Sequence, residues 1–280
     1  MLRRPVAIKI LPVETAGPLR VKRFEREVQL SSELTHPNTV TVYDYGCTPD
    51  GLFFYVMEYL EGVSLAHLVC RQGPQPPRRV VHILKQVCGS LAEAHDKGII
   101  HRDIKPGNVL LCRQGGVQEV VKVVDFGLAS RLEWIQVGQK SRRISGTPGY
   151  LAPETFLWPS QVDARSDLYA VGAVGYFLLT GRPVFDGRSI SEVCQQHVHT
   201  PPIPPSARLR CNMGALEKIL LRCLAKEPCQ RPPSASELAR ELAGCVEAWT
   251  DEDVASWLLP REAYREAQCK DYLETTADDI

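Results

Sequence analysis

The stretch His101-Arg102-Asp103-Ile104-Lys105-Pro106-Gly107-Asn108 decides how this chain is read. It follows the apolar pair Ile99-Ile100 and precedes two strand-like runs, residues 109–111 and 120–124, that read as a hairpin around Gly115-Gly116. The second run ends in Asp125-Phe126-Gly127. A carboxylate, a lysine and an amide within six residues, followed by a second carboxylate, suit phosphoryl transfer. That reaction needs little covalent chemistry. It needs a hydroxyl held in line, metal ions on the phosphates and positive charge near developing oxyanions.

Upstream, residues 5–11 (PVAIKIL) read as a strand. Val21, Phe24 and Val28 recur three and four apart, which predicts a helix over 21–34, and Pro37 blocks its continuation. Residues 39–45 and 52–58 read as strands around the turn Pro49-Asp50-Gly51. After Gly62 the pattern turns helical. Val80, Leu84, Val87, Leu91 and Ala94 make one apolar helix face. Ser189…Glu192 and Ser234…Glu237 read as capping-box starts, and Pro201-Pro202-Ile203-Pro204-Pro205 as a rigid connector. A small strand-rich part thus precedes a larger helical part. Residues 250–280 carry nine acidic and three basic residues and read as a tail outside the core.

The whole chain has 280 residues, 44% hydrophobic and 24% charged, which excludes a mainly disordered protein. Thirty-three basic residues balance thirty-three acidic ones, so nothing global points to nucleic acid or an anionic membrane surface. No run reaches the roughly 18 apolar residues of a membrane span; residues 168–179 have the length of a buried core helix. Met1-Leu2-Arg3-Arg4 leads into a strand-like run and not into a signal peptide. Ten cysteines include no CxxC pair, so they read as buried thiols in a reducing cytoplasm, not as zinc ligands or a disulfide framework.

With these residues in view, the chain resembles the eukaryotic-type protein kinase family, in its serine/threonine branch and bacterial style. The matching motifs are Val6-Ala7-Ile8-Lys9, His36-Pro37-Asn38, His101 to Asn108, Asp125-Phe126-Gly127, Gly146-Thr147-Pro148-Gly149-Tyr150, Ala152-Pro153-Glu154, Asp167-Leu168-Tyr169 and Arg231-Pro232. They occur in family order over roughly residues 5–247. The resemblance implies an α+β, two-lobe kinase fold with a β-rich N-lobe (1–58), a hinge (58–62) and a helical C-lobe (63–247), followed by the acidic tail (248–280). It also implies ATP, Mg²⁺ and protein substrates bearing Ser or Thr, in a cytoplasmic setting, with no nucleic-acid partner and no membrane segment. Dimerisation for trans-autophosphorylation is a further implied interaction.

The resemblance also carries roles position by position. Lys9 binds the α- and β-phosphates and Glu27 pairs with Lys9; outside the motif these would read as a solvated edge charge and an ordinary exposed acid. Asp103 accepts or orients the substrate hydroxyl proton, Lys105 neutralises the γ-phosphate, and Asn108 and Asp125 hold Mg²⁺. Backbone groups of Glu58 and Leu60 meet the adenine edge, with Ala7 and Leu110 sandwiching the ring. His101 and Phe126 are packing residues. Arg102 binds an activation-loop phosphate on Ser141, with Ser145 as the other candidate. The basic residues Lys140, Arg142 and Arg143 alone are the alternative means of ordering that loop. Thr147 contacts Asp103 and helps select Ser/Thr substrates. Glu154 and Arg231 form a buried ion pair.

Two departures stand out. No GxGxxG occurs, and only five residues precede Val6, where the family places two strands and a glycine-rich loop. The chain is therefore expected to be a truncated reading of a longer kinase; the alternative is a natural chain lacking the loop, and with it a non-catalytic binding module. Ser31 occupies a position where the family packs an apolar side chain. A small-molecule phosphotransferase of similar fold is disfavoured by Thr147 and Ala152-Pro153-Glu154, which resemble a protein-substrate segment.

Overall fold

The computed structural model describes residues 4–11, 28–48, 52–126 and 148–257. Its N-terminal part is an antiparallel sheet of β1 (Val6–Leu11), β2 (Val42–Cys47) and β3 (Phe53–Glu58) in the order β1-β3-β2. Alternation sets its two faces. Ala7, Phe53 and Tyr55 are buried, while Val6, Ile8 and Ile10 are exposed. Lys9 stands directly opposite Tyr55, so the two side chains leave the sheet on one face. Residues 28–32 are helical, with Val28 and Ser31 buried. The first part of the expected 21–34 helix and the expected turn at 49–51 lie outside the described residues.

The second sheet joins β4 (Gly62–Ser64), β5 (Val109–Gln114) and β6 (Val117–Val123), all antiparallel. The expected hairpin is longer than its sequence pattern suggested, and its turn uses Gly115 and Gly116 at φ 59° and 86°. Strand β4 stands where the sequence pattern suggested helix. Gly62 permits it, because a Cβ there would lie 2.5 Å from Cys112 Sγ.

The helices are α1 (Leu65–Gln72), α2 (Pro77–Asp96), α3 (Pro153–Leu157), α4 (Arg165–Thr180), α5 (Ile190–His199), α6 (Pro205–Leu209), α7 (Gly214–Cys223), α8 (Ala235–Ala243) and α9 (Asp251–Trp257). The apolar stripe of α2 is buried at Val80, Leu84, Val87, Leu91 and Ala94. Helix α4 is buried on almost every side and packs close to α7: a Cβ on Gly172 would lie 2.5 Å from Cys223 Cβ. Ser189 and Ser234 cap α5 and α8 by accepting the N–H of Glu192 and Glu237. Among the described residues, no helix is long and apolar enough to cross a membrane.

The result is an α+β fold of two lobes. Main chain joins them: Val123 N donates to Asn38 O at 2.8 Å, and Val40 N donates to Val123 O at 3.0 Å. Asn38 adds its side chain, donating to Val121 O at 2.8 Å. Residues 248–257 lie against α1, α2 and β6. Arg78 donates to Ala248 O, Gln72 to Trp257 O, and Trp249 Nε1 to Glu119 Oε2 at 2.7 Å. Glu119 also holds buried Arg79 at 2.5 Å, and Arg79 lies over the rings of Trp249 and Trp257.

Candidate active site

The loop at 101–108 is shaped by a side chain far away in sequence. Asp167, in the first turn of α4, accepts the backbone N–H of His101 and of Arg102, both at 2.8 Å. It also meets His95 Nε2 at 2.8 Å. Burial alone would raise the Asp167 carboxyl, but the bond and charge of His95, the charge of His101 and the Arg102 N–H outweigh it and hold it below the ordinary aspartate value. These bonds fix Arg102 at φ 67°, a left-handed conformation that costs a non-glycine residue roughly 1–3 kcal/mol and persists only where its surroundings enforce it. His101 is fully buried, bonded to Val124 O at 2.9 Å and packed on Phe126 with ring centroids 4.5 Å apart.

Two of the expected catalytic residues, Asp103 and Lys105, meet on this loop with Asn108, expected as a metal ligand. Asn108 Nδ2 donates to both the carbonyl and Oδ2 of Asp103 at 2.8 Å, and Lys105 Nζ lies 3.1 Å from the same Oδ2. The Asp103 carboxylate is thereby held at one oxygen by both an amide and an ammonium.

Lys9 crosses from the N-lobe sheet to Asp125 Oδ2 at 2.6 Å. Tyr55, beside it on β3, donates its hydroxyl to Asp125 Oδ1 at 2.5 Å. Asp125 adopts φ 61° just beyond β6. Its burial favours the protonated form, yet the charge and bond of Lys9, the Tyr55 hydroxyl and the charge of His101 keep its carboxyl below the ordinary aspartate value. Asp125 and the 101–108 loop are tied through the Val124 N–H, which donates to Asn108 O at 3.0 Å.

At the lobe connection, Ala7 is buried and Leu110 is half-buried in β5. Glu58 accepts from Thr41 N at 2.8 Å and from the buried Lys122 at 2.7 Å. Leu60, expected beside the adenine edge, follows on the irregular segment before β4 and is half-buried. Glu154 and Arg231 form the expected buried pair, with two bonds of 2.6 and 2.7 Å; Arg231 also donates to the carbonyls of Ala225, Arg165 and Lys226. Glu27, Ser141, Ser145 and Thr147 lie outside the described residues.

Among the described residues, no three His, Cys, Asp or Glu side chains cluster as an all-protein metal cage. Asp125 supplies an ionised carboxylate. Asn108 spends its amide N–H groups on Asp103, which leaves its oxygen as an acceptor. Two oxygen donors fit a hard cation such as Mg²⁺, which takes its remaining ligands from phosphate and water. Sequence motifs alone did not assign work to Asp167, Tyr55 or Lys122. No alternation in the run FFYVME at residues 53–58 marked Tyr55 out.

The fold is that of a protein kinase, and the family model described as protein kinase domain matches residues 2–242; the chain belongs to that family. Among its relatives are bacterial serine/threonine kinases. It is 41% identical over 246 residues to the serine/threonine-protein kinase PknB of Mycobacterium tuberculosis, covering 86% of this chain and 38% of that protein. It is 39% identical over 248 residues to the serine/threonine-protein kinase pkn3 of Myxococcus xanthus, covering 86% and 45%. The chain therefore spans less than half the length of these curated relatives. Among solved structures, the crystal structure of Rad53 1-466 in complex with AMP-PNP has the same fold, with a TM-score of 0.69 at 24% identity, covering 84% of this chain and 57% of that one.

Proposed function

We propose that this chain transfers the γ-phosphoryl group of ATP to Ser or Thr hydroxyls of protein substrates. The observation that carries the reading is the orientation of Asp103, whose Oδ2 is held at once by Asn108 and Lys105. A substrate hydroxyl placed at the exposed side of that carboxylate can hand over its proton as its oxygen attacks the γ-phosphorus, while the bond to the β–γ bridging oxygen breaks and ADP leaves. Lys105 then stands where charge develops on the transferring group, and Lys9 turns from Asp125 to the α- and β-phosphates. Mg²⁺ held through Asn108 and Asp125 supplies charge neutralisation for those phosphates. Ala7 and Leu110 provide apolar walls for the adenine, and the backbone of Glu58 and Leu60 its polar edge. Glu27 completes the set by pairing with Lys9.

The functional unit is residues 1–247, with lobes at 1–58 and 63–247 about a hinge at 58–62. Regulation runs through a phosphate on Ser141, or on Ser145, bound by Arg102, with Thr147 selecting Ser/Thr substrates next to Asp103. Dimerisation brings that loop to a second copy for trans-autophosphorylation. The test is phosphopeptide mass spectrometry on the chain after incubation with Mg·ATP, alongside Asp103→Asn. We expect phosphate on Ser141 or Ser145 in the wild type, and turnover about 10²–10⁴-fold lower in the variant. Equal phosphorylation in both would overturn the role of Asp103. No phosphate in either would favour a non-catalytic kinase-like module.

A further inference from the structure

We propose that Tyr55 is a positioning residue for the catalytic cation, acting through Asp125 as an orienting donor built into β3. The inference rests on the kinase reading above and adds a residue to it.

Tyr55 is 1% exposed, and a phenol hydroxyl taken out of water needs a partner. Packing alone does not call for that hydroxyl, since a phenylalanine would fill the same apolar volume. The hydroxyl is spent on Asp125 Oδ1, while Lys9 holds Oδ2. Both donors come from one face of the sheet because Lys9 and Tyr55 are cross-strand partners. Each carboxylate oxygen carries two lone pairs, so one donor on each leaves one lone pair per oxygen for a hard cation. The two bonds therefore need not compete with metal. They stop the carboxylate from rotating about its Cβ–Cγ bond.

The two donors differ in stiffness. Lys9 has a flexible four-carbon stem and, in the proposed reaction, is drawn toward the phosphates. Tyr55 has a rigid ring and, with Asp125, lines a small cavity shared with Ser31, Thr39, Val40, Val42 and Phe126. When Lys9 leaves, Tyr55 remains to aim Asp125. Ser31 lines the same cavity, and its small side chain leaves the space beside the phenol open. Outer hydrogen bonds of this kind orient metal-ligating carboxylates, and their loss costs about 10–100-fold in metal affinity.

The experiment titrates Mg²⁺ into the chain with AMP-PNP and reads binding by calorimetry, for the wild type, Tyr55→Phe and Lys9→Met. We expect Tyr55→Phe to raise the half-saturating Mg²⁺ concentration about tenfold, with AMP-PNP affinity in EDTA unchanged. Lys9→Met should weaken AMP-PNP binding in EDTA as well. An unchanged Mg²⁺ midpoint in Tyr55→Phe would reduce Tyr55 to a packing residue and overturn the inference. A lowered midpoint would overturn it too, by showing that the hydroxyl competes with metal. Tyr55→Met, which also lacks the hydroxyl, gives the same reading should the phenylalanine variant fail to fold. If the wild type binds no AMP-PNP under any condition, the kinase reading falls and this inference with it; binding that ignores Tyr55 sinks the inference alone.

Discussion

Asp167 accepts the backbone N–H of His101 at 2.8 Å across 66 residues of sequence, and the same carboxylate takes the N–H of Arg102. The loop that carries Asp103 is therefore hung from helix α4. Asp167→Ala would strand two backbone donors, each at a cost of about 1–3 kcal/mol where burial keeps water out. We expect a lower melting temperature and a fall in kcat larger than any rise in the KM for ATP. Asp167→Asn keeps one acceptor oxygen and should fall between the two. Wild-type kcat in Asp167→Ala would show that the loop holds its shape unaided.

Glu93 makes a related tether on α2. It accepts the backbone N–H groups of Thr35 and His36 at 2.8 to 3.0 Å. Burial pushes its carboxyl up, but these bonds, the Thr35 hydroxyl and Lys97 bring it down, from 4.5 to about 2. A folded value below the unfolded one stabilises the fold fully above the unfolded value. That contribution is lost as pH falls from about 4.5 toward about 2. Acid denaturation of Glu93→Gln should thus be flatter than that of the wild type in this window. Superimposable curves would remove Glu93 as a source of acid sensitivity.

The Glu154–Arg231 pair predicts a non-additive result. Arg231→Met leaves a buried carboxylate without its partner and should cost about 3–5 kcal/mol. Adding Glu154→Leu removes the orphaned charge and should recover much of that loss. A double variant as unstable as the sum of the two single ones would argue that the carbonyl bonds of Arg231, not the ion pair, carry the stability.

Trp249 and Trp257 cover Arg79 and Glu119, both only 2% exposed in their side chains. Among the described residues Arg79 Nε has no hydrogen-bond partner, so the cluster leans on its cover. Trp249→Phe removes the N–H that satisfies Glu119 while keeping an aromatic ring, and should cost roughly 1.5–3 kcal/mol as a bond to a charged group. A chain ending at Glu247 should lose more and take up hydrogen exchange in β6. Unchanged melting in both would make residues 248–257 a mere appendage.

The geometry of the loop at 101–108 was legible because its residues are contiguous: Asp103, Lys105 and Asn108 sit within six positions, so composition and order almost state it. The capped starts at Ser189 and Ser234 were legible for the same local reason. Asp167 was visible only as part of a motif, since its two acceptor bonds span more than sixty residues. The run FFYVME at residues 53–58 reads as a strand but has no apolar/polar alternation, so it does not say which way Tyr55 points or name Asp125 as its partner. Strand β4 is three residues long, too short for periodicity to register, and depends on the close approach that Gly62 permits. Trp249 and Trp257 were visible as aromatic residues in an acidic stretch, but charge counting does not say where an indole N–H is aimed.

Strand β6 has one more consequence. Its edge carries the Asn38 and Val40 contacts, its Lys122 grips Glu58, and Asp125 follows at its end. It works as an axle: the side of the N-lobe nearest β6 is pinned by main-chain bonds, and β1 lies on the far side of β3. Any opening of the cleft is then expected to show most in the separation of Lys9 from Asp125. A pair of labels placed across β1 and β6 should register each opening, whereas a pair across residues 40 and 123 should stay silent through the whole cycle.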